Sequence, residues 1–125
     1  RGAAFGDLDN DGDVDVVVAN MGSPLRILRN VAKKQGGAVT LEVLESDGLP
    51  AMGARLNLEI GEQRRLRQVQ RTYSYCATND ARVHVGLGAA KAIDRVVVTW
   101  LDGKEEVFGP FASGMPAVVK RGTGR

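Results

Sequence analysis

The sequence predicts an all-β protein in which an antiparallel β-sandwich-like module follows a short acidic segment. Three observations favour this class: apolar and polar residues alternate in short runs, β-branched residues are frequent in these runs, and turn-forming residues separate them. With 125 residues, of which 43% are hydrophobic, the chain is long enough to form one core without disulfide bonds. Short strands at this spacing are typical of a sandwich or a barrel.

The predicted strands follow one another along the chain with turns between them. Two lie near the amino terminus, at residues 14–19 and 25–30, on either side of a turn at 20–24. The others follow a polar segment at 33–37, and they cover residues 39–45, 54–60, 64–71, 83–87, 94–101, 105–108 and 117–121. Most of the chain is therefore assigned to strands and turns.

Local signals locate the hairpins and one core face. Asp102-Gly103 is a strong hairpin signal, and Gly61 begins a second predicted hairpin turn. Leu56, Leu58 and Ile60 share one face of their strand, because side chains alternate along a strand. Only residues 89–93 suggest a helical turn.

The composition excludes several classes of protein. Seventeen basic and fifteen acidic residues give a net charge of +2, which is too balanced for a dedicated nucleic-acid-binding protein. The single cysteine, Cys76, rules out an intrachain disulfide and a multi-cysteine zinc site. No apolar run approaches the roughly 18 residues that span a bilayer. We therefore expect no nucleic-acid partner and no membrane span in this chain.

The strongest chemical signal is the acidic segment that begins at residue 7. Aspartates stand at alternate positions with a glycine at the sixth, and the five are Asp7, Asp9, Asp11, Asp13 and Asp15. Against Arg1, they give residues 1–20 a net charge of −4. Alternate residues of a curled loop can point at one centre, and glycine permits the tight turn. Because Ca²⁺ takes about six to eight oxygen ligands, this spacing predicts a calcium site.

The predicted ligands are of two kinds. We assign side-chain oxygens to Asp7, Asp9, Asp11 and Asp15, and a backbone carbonyl to Asp13. The loop is not an EF-hand, because Val18 stands where a bidentate glutamate belongs and no exiting helix is indicated. The alternative is a solvated acidic turn without an ion, in which five carboxylates would repel one another. With no nucleophile nearby, we expect the ion to have a structural role.

Residues 5–18 resemble an FG-GAP/VCBS repeat, the blade unit of integrin-type β-propellers. Phe5-Gly6, the aspartate loop and the valine run after it carry the resemblance. It implies that all five aspartates occupy the calcium-binding positions of the repeat. A propeller blade normally has four strands, whereas we predict two in residues 1–32. We therefore expect this partial blade to pack on the following module or to pair with a second copy of the chain.

The second half of the chain resembles the ASPIC/UnbV domain. The resemblance is carried by Gly53-Ala54-Arg55-Leu56 and by residues 82–88 and 93–103, while Leu101 departs from the proline usual in the family. We thus divide the chain into a calcium-binding blade element at 1–32, a linker at 33–37 and an ASPIC/UnbV-like β domain at 38–125. The resemblance implies an extracytoplasmic setting and no established enzymatic activity.

A basic strand and two tyrosines form a second candidate site. Alternation within 64–71 places Arg65, Arg67 and Arg71 on one face, which could bind a sulfated or carboxylated glycan. The favoured alternative is a solvated strand face on which arginine stems cover apolar neighbours. Tyr73 and Tyr75 lie in a loop-like segment and form the more exposed aromatic pair.

Three further residues have structural interpretations. Trp100 shares a strand face with Val96 and Val98, which predicts a place in the core. His84 and Cys76 could be paired as base and nucleophile, but no third group or oxyanion motif accompanies them. We therefore predict no catalytic residue.

Together these patterns lead to one expected function and one alternative. We expect a non-catalytic, calcium-stabilised adhesion or interaction module, forming the C-terminal part of a larger secreted or cell-surface protein. Its setting would be extracellular, cell-surface or periplasmic, with any export signal upstream of Arg1. The partner would be a protein or a glycan, with a homo-oligomer through the partial blade as a further expectation. The alternative is a carbohydrate-binding module that uses Tyr73, Tyr75 and the arginine face.

Overall fold

The computed structural model describes residues 1–33 and 36–125, which form twelve β-strands and no helix. The predicted all-β class is confirmed. The strands are β1 (Gly2–Gly6), β2 (Asp15–Ala19), β3 (Arg26–Leu28), β4 (Gly37–Leu44), β5 (Arg55–Ile60), β6 (Gln63–Gln68), β7 (Val83–Gly88), β8 (Ala92–Ile93), β9 (Arg95–Thr99), β10 (Glu105–Phe108), β11 (Phe111–Ala112) and β12 (Ala117–Lys120). Residues 34 and 35 of the predicted linker lie outside the described residues. Within the described ranges, no helix could cross a membrane.

The amino-terminal part is a three-stranded antiparallel sheet in the order β1-β2-β3. β2 and β3 lie within the predicted strands but are shorter. The sequence does not predict β1, because its segment GAAFG is rich in small residues that are depleted in strands. The expectation of two strands in residues 1–32 is therefore wrong, and the structure has three. Gly6 pairs with Asp15, so the acidic segment connects β1 to β2 as a loop.

Two larger sheets form most of the remaining chain, in the orders β10-β9-β5-β6 and β12-β4-β7. Both predicted hairpins are present: β5 pairs with β6 around residues 61–62, and β9 with β10 around 102–103. β12 lies parallel to β4, whereas every other pair of neighbouring strands in these two sheets is antiparallel. The helical turn predicted at 89–93 is wrong, because Ala92–Ile93 pairs instead with Phe111–Ala112 as a small sheet.

One apolar core joins the two larger sheets. Leu56, Leu58 and Ile60 are buried on the predicted face, and Trp100 is buried as expected, with its ring nearly perpendicular to that of Phe108 (84°). The buried cluster consists of Val39, Leu41, Val43, Ala51, Ala54, Leu56, Leu58, Ile60, Val69, Val83, Val85, Leu87, Ile93, Val96, Val98, Trp100 and Val119. Every member comes from residue 39 onward, so the sandwich has its own core.

β1 docks on the segment that precedes β7. The amide of Asp80 donates to the carbonyl oxygen of Phe5 (2.9 Å), and the Phe5 ring stacks on Tyr73 with centroids 6.4 Å apart. A Cβ added to Gly6 would lie 3.0 Å from the Asp80 Cβ, so any larger residue would press against Asp80 at this close approach. The partial blade therefore packs on the following module of the same chain.

Asn79 is the buried polar residue at this junction, with 4% of its surface exposed. Its Oδ1 accepts a hydrogen bond from the amide of Phe5 (2.8 Å), and its Nδ2 donates to the carbonyl oxygen of Arg71 and to the hydroxyl of Ser74 (3.0 Å each). The same side chain thus closes the loop 71–79 and holds β1 beside it.

Candidate metal centre

The acidic loop is anchored at its two ends by β1 and β2. Because Gly6 and Asp15 are strand partners, Asp7 and Asp15 lie close together at the base of the loop. Both are buried, with 6% and 2% of their surfaces exposed. At the tip, Asn10 and Gly12 have φ angles of 58° and 92°. Glycine adopts this left-handed backbone without steric cost, which explains the glycine placed at the sixth position of the loop.

Three of the five predicted ligands converge. One carboxylate oxygen from each of Asp7, Asp9 and Asp15 lies within 4.8 Å of the others. Oxygens bound to one Ca²⁺ at about 2.3–2.6 Å can be at most about 5 Å apart, so this spacing fits a single ion. The donor set is entirely carboxylate oxygen, which hard cations such as Ca²⁺ prefer. The residues therefore fit the ion that the sequence predicts.

Backbone amides hold the two buried carboxylates in place. Asp7 accepts hydrogen bonds from the amides of Asp11 (3.1 Å) and Gly12 (3.0 Å). Asp15 accepts from the amides of Asn30 (2.8 Å) and Leu8 (3.0 Å). These bonds to Asn30 and Leu8 lower the pKa of Asp15 below its ordinary value, so its carboxylate stays ionised.

The third strand contributes residues that the sequence patterns do not identify. Arg29, directly after β3, forms an ion pair with Asp9, and Asn30 donates its amide to Asp15. Both lie far along the chain from the loop and are brought to it by the pairing of β2 with β3. The only sequence signal was a basic residue near an acidic segment, which is too common to indicate a contact.

Asp11 and Asp13 lie outside the group of three converging carboxylates. The carboxylate of Asp11 accepts a hydrogen bond from the amide of Asp13 (2.9 Å), which shapes the loop between them. Their assignment as calcium ligands, through a side chain and a backbone carbonyl respectively, stays a prediction.

The arginines of the second candidate site lie in different surroundings. Arg65 and Arg67 lie directly opposite Leu58 and Leu56 in the pairing of β6 with β5. They therefore share the sheet face that carries these core leucines, at the edge strand β6. Arg65 donates to the carbonyl oxygen of Gly86 in β7, which bridges the open side of the sandwich. Arg71 lies beyond the end of β6, because the strand ends at Gln68 rather than continuing to residue 71 as predicted. The three do not share one strand face.

The tyrosines are both exposed, but they differ in their contacts. Tyr73 has 51% of its surface exposed and stacks on Phe5, whereas Tyr75 has 78% exposed. Arg67 and Tyr73 line the same cleft of about 200 Å³, which also includes Gln70. Arg65, Arg71 and Tyr75 are not part of that cleft's lining.

His84 belongs to a polar chain rather than to a pair with Cys76. Its Nδ1 lies 3.1 Å from the hydroxyl oxygen of Thr40, and its Nε2 lies 3.5 Å from a carboxylate oxygen of Asp80. Asp80 is in turn ion-paired with Arg82 at 2.7 Å. Burial opposes ionisation of Asp80, but its hydrogen bonds to Arg82, the charge of Arg82 and the contact with His84 together lower its pKa. Cys76 is an exposed free cysteine.

Comparison with known protein families matches both halves of the chain. The family model described as "ASPIC and UnbV" matches residues 45–124, and the model for the FG-GAP repeat matches residues 1–41. A separate comparison with curated proteins found no match to the chain. The first match covers well over half of the chain, and the second covers the whole acidic loop with all three strands of its sheet. The chain therefore belongs to the ASPIC/UnbV family, and an FG-GAP repeat precedes its ASPIC/UnbV domain.

Proposed function

We propose that this chain is a non-catalytic, calcium-stabilised interaction or adhesion module that works outside the cytoplasm. The observation that carries the proposal is the convergence of Asp7, Asp9 and Asp15 on one point between two strands. FG-GAP repeats and ASPIC/UnbV domains are typical of extracellular interaction proteins, and both are present here. The calcium ion would hold the loop, and the loop would hold the blade strands in register.

The burial pattern of the first 33 residues supports a structural role for the ion. Asp7 and Asp15 are the only buried residues in that segment. Like charges held close together away from water repel one another, and a divalent cation between them removes that repulsion. The ion would thus supply the stabilisation that an apolar core supplies elsewhere.

A catalytic role is less well supported than a structural one. Thr40, His84 and Asp80 form a hydroxyl–imidazole–carboxylate sequence that superficially resembles a nucleophile with its base. However, Thr40 has only 7% of its surface exposed, and the Asp80 carboxylate is engaged by Arg82. This chain of contacts joins strands β4 and β7 to the junction with the blade, which is a structural task.

Calcium addition and removal test the proposal directly. At about 10 mM Ca²⁺, an extracellular-type site with Kd of about 10⁻⁴–10⁻³ M would stabilise the fold by roughly 1.4–2.7 kcal/mol. We expect calcium to raise the melting temperature and a chelator to reverse that rise. Asp9→Ala and Asp11→Ala should each abolish the calcium effect, and so should Asp15→Asn.

Two controls make this measurement specific. Glu62→Gln removes one negative charge from the exposed turn between β5 and β6, so its calcium response should match that of the parent. Magnesium should stabilise less than calcium, because it demands a rigid octahedral site. If the parent and the aspartate variants melt alike with calcium and with chelator, the calcium proposal is wrong.

The exposed apolar residues around β3 suggest where a partner binds. Leu25, Ile27 and Leu28 have 58%, 58% and 54% of their surfaces exposed, and β3 is the edge of its sheet. An apolar edge strand can accept another strand, so a second copy of the chain is the partner that we propose for this surface. Sedimentation over a range of concentrations tests it: a parent dimer that Ile27→Asp dissociates supports the proposal, and a parent monomer rejects it.

A glycan-binding role is the second candidate, and one observation favours it. Arg67, Gln70 and Tyr73 line one cleft, which offers a cation, an amide and an aromatic ring to a sugar. A glycan array probed with the parent and with Tyr73→Ala separates this role from a protein-binding one. Binding that is lost in the variant would support the glycan role.

A further inference from the structure

Arg82 is the side chain through which the ASPIC/UnbV domain holds the acidic loop. Its Nη2 donates to the carbonyl oxygen of Asp7 (2.9 Å), and its Nη1 donates to Oδ1 of Asn10 (2.9 Å). The first contact fixes the backbone of a converging aspartate, and the second fixes the left-handed turn at the loop tip. The Arg82 guanidinium therefore donates hydrogen bonds to both the base and the tip of the loop.

The position of Arg82 is itself set by the sandwich. Its Nε donates to a carboxylate oxygen of Asp80 at 2.7 Å, and the same oxygen lies 3.5 Å from Nε2 of His84. His84 is the strand partner of Thr40, which its ring also contacts. An unbroken series of polar contacts thus runs from β4 and β7 to the loop. Asp80 also bonds the carbonyl of Phe5 through its amide, so the loop contact and the docking of β1 share one residue.

We infer that Arg82 is a positioning residue that couples cation binding on the loop to docking of the blade on the ASPIC/UnbV domain. This inference rests on the proposed calcium site. A loop already held by Arg82 loses less freedom when it binds an ion, so the ion binds more tightly. By linkage, an ion that orders the loop strengthens the docking contacts by the same factor.

The direction of the affinity change separates positioning from simple charge. A positive guanidinium near a cation site repels the ion, so removing its charge should tighten calcium binding if charge alone matters. If Arg82 instead positions the loop, removing it should weaken calcium binding. Residues that orient metal ligands typically change metal affinity by about 10–100-fold when they are replaced. We therefore expect Arg82→Gln to weaken calcium binding by about 10-fold or more.

The test uses the full chain and four variants in calorimetric titrations with calcium. Arg82→Lys keeps the charge but cannot make the forked set of contacts, so it should weaken binding as Arg82→Gln does. Arg64→Gln is the matched control, because it removes one positive charge from a side chain that is 87% exposed on β6. Its calcium affinity should equal that of the parent. Asn10→Gly removes one loop acceptor while permitting the left-handed backbone, and it should weaken binding by a smaller factor.

A second readout reports the coupling itself. Calcium should slow hydrogen exchange of the Asp80 amide, which donates to Phe5, in the parent. It should not slow this exchange in Arg82→Gln.

The outcomes distinguish the inference from the proposed function. A parent that binds no calcium overturns both. A parent that binds calcium, with Arg82→Gln binding equally or more tightly, overturns this inference alone. If Arg82→Gln fails to fold, Asn10→Gly decides, and an affinity equal to that of the parent overturns the inference.

Discussion

The FG-GAP segment and the ASPIC/UnbV sandwich bury different kinds of side chain. The sandwich buries a large apolar cluster that includes Leu58 and Trp100, whereas residues 1–33 bury only two carboxylates, Asp7 and Asp15. Apolar burial stabilises by about 25 cal/mol per Å², while a buried charge is unfavourable unless it is paired. The sandwich is therefore stabilised by its own core, whereas the proposed function makes the blade segment depend on an ion and on the neighbouring sandwich.

The largest expected effect on stability comes from truncating a side chain in the sandwich core. Leu58 is fully buried on β5, and Leu58→Ala should lower the free energy of unfolding by about 2–5 kcal/mol. Met21→Ala, at a position 77% exposed between β2 and β3, should change it by at most about 0.5 kcal/mol. Chemical denaturation of both variants, with and without calcium, measures this. Equal losses in the two would show that the blade has an apolar core of its own.

A smaller effect is expected at the contact between the two parts. Gly6→Ala places a Cβ 3.0 Å from that of Asp80, and overpacking of this kind destabilises by about 1–3 kcal/mol. We expect faster hydrogen exchange in β1 and at the Asp80 amide, with little change in the sandwich core. Gly86→Ala is the control, because an added Cβ there meets no atom within 4 Å. Unchanged exchange in Gly6→Ala would mean that the two parts are not held by this contact.

The smallest effect concerns an ion pair that lies within the sandwich alone. Burial opposes ionisation of Asp102, but hydrogen bonds from the Lys104 amide and Arg121, with the charges of both, hold its pKa below the ordinary value. A lowered pKa in the folded state stabilises the fold above the unfolded-state pKa of about 3.9 and is lost as pH falls through the folded value. Melting temperature should therefore fall more steeply below about pH 4 in the parent than in Asp102→Asn. Parallel curves for the two proteins would contradict this.

The sequence predicts the parts of this molecule that depend on local patterns. Alternation identifies the face of Leu56 and Leu58, and the spacing of the aspartates identifies the loop whose carboxylates converge. These signals work because strand periodicity and loop stereochemistry act over a few residues.

The parts that the sequence does not predict depend on distant partners. β1 is a strand because β2 and the segment around Asp80 flank it, although its own residues have low strand propensity. Ala92–Ile93 is a strand because Phe111–Ala112 pairs with it. Arg29, directly after β3, and Arg82, directly before β7, both reach the acidic loop, and no local pattern in the sequence indicates that contact.

The hydrogen bonding of Asn79 bears on where this protein can be divided. A fragment that begins at β4 would retain every member of the apolar cluster, yet the Asn79 Oδ1 would lose the Phe5 amide and the Asp80 amide would lose its acceptor. Water would have to satisfy the Asp80 amide, the Asn79 Oδ1 would keep only its 3.2 Å contact with the Ser74 hydroxyl, and the segment 71–82 would relax before the sheets did. An ASPIC/UnbV domain produced without the blade segment therefore needs redesign at Asn79 and Asp80, whereas its apolar interior needs no change.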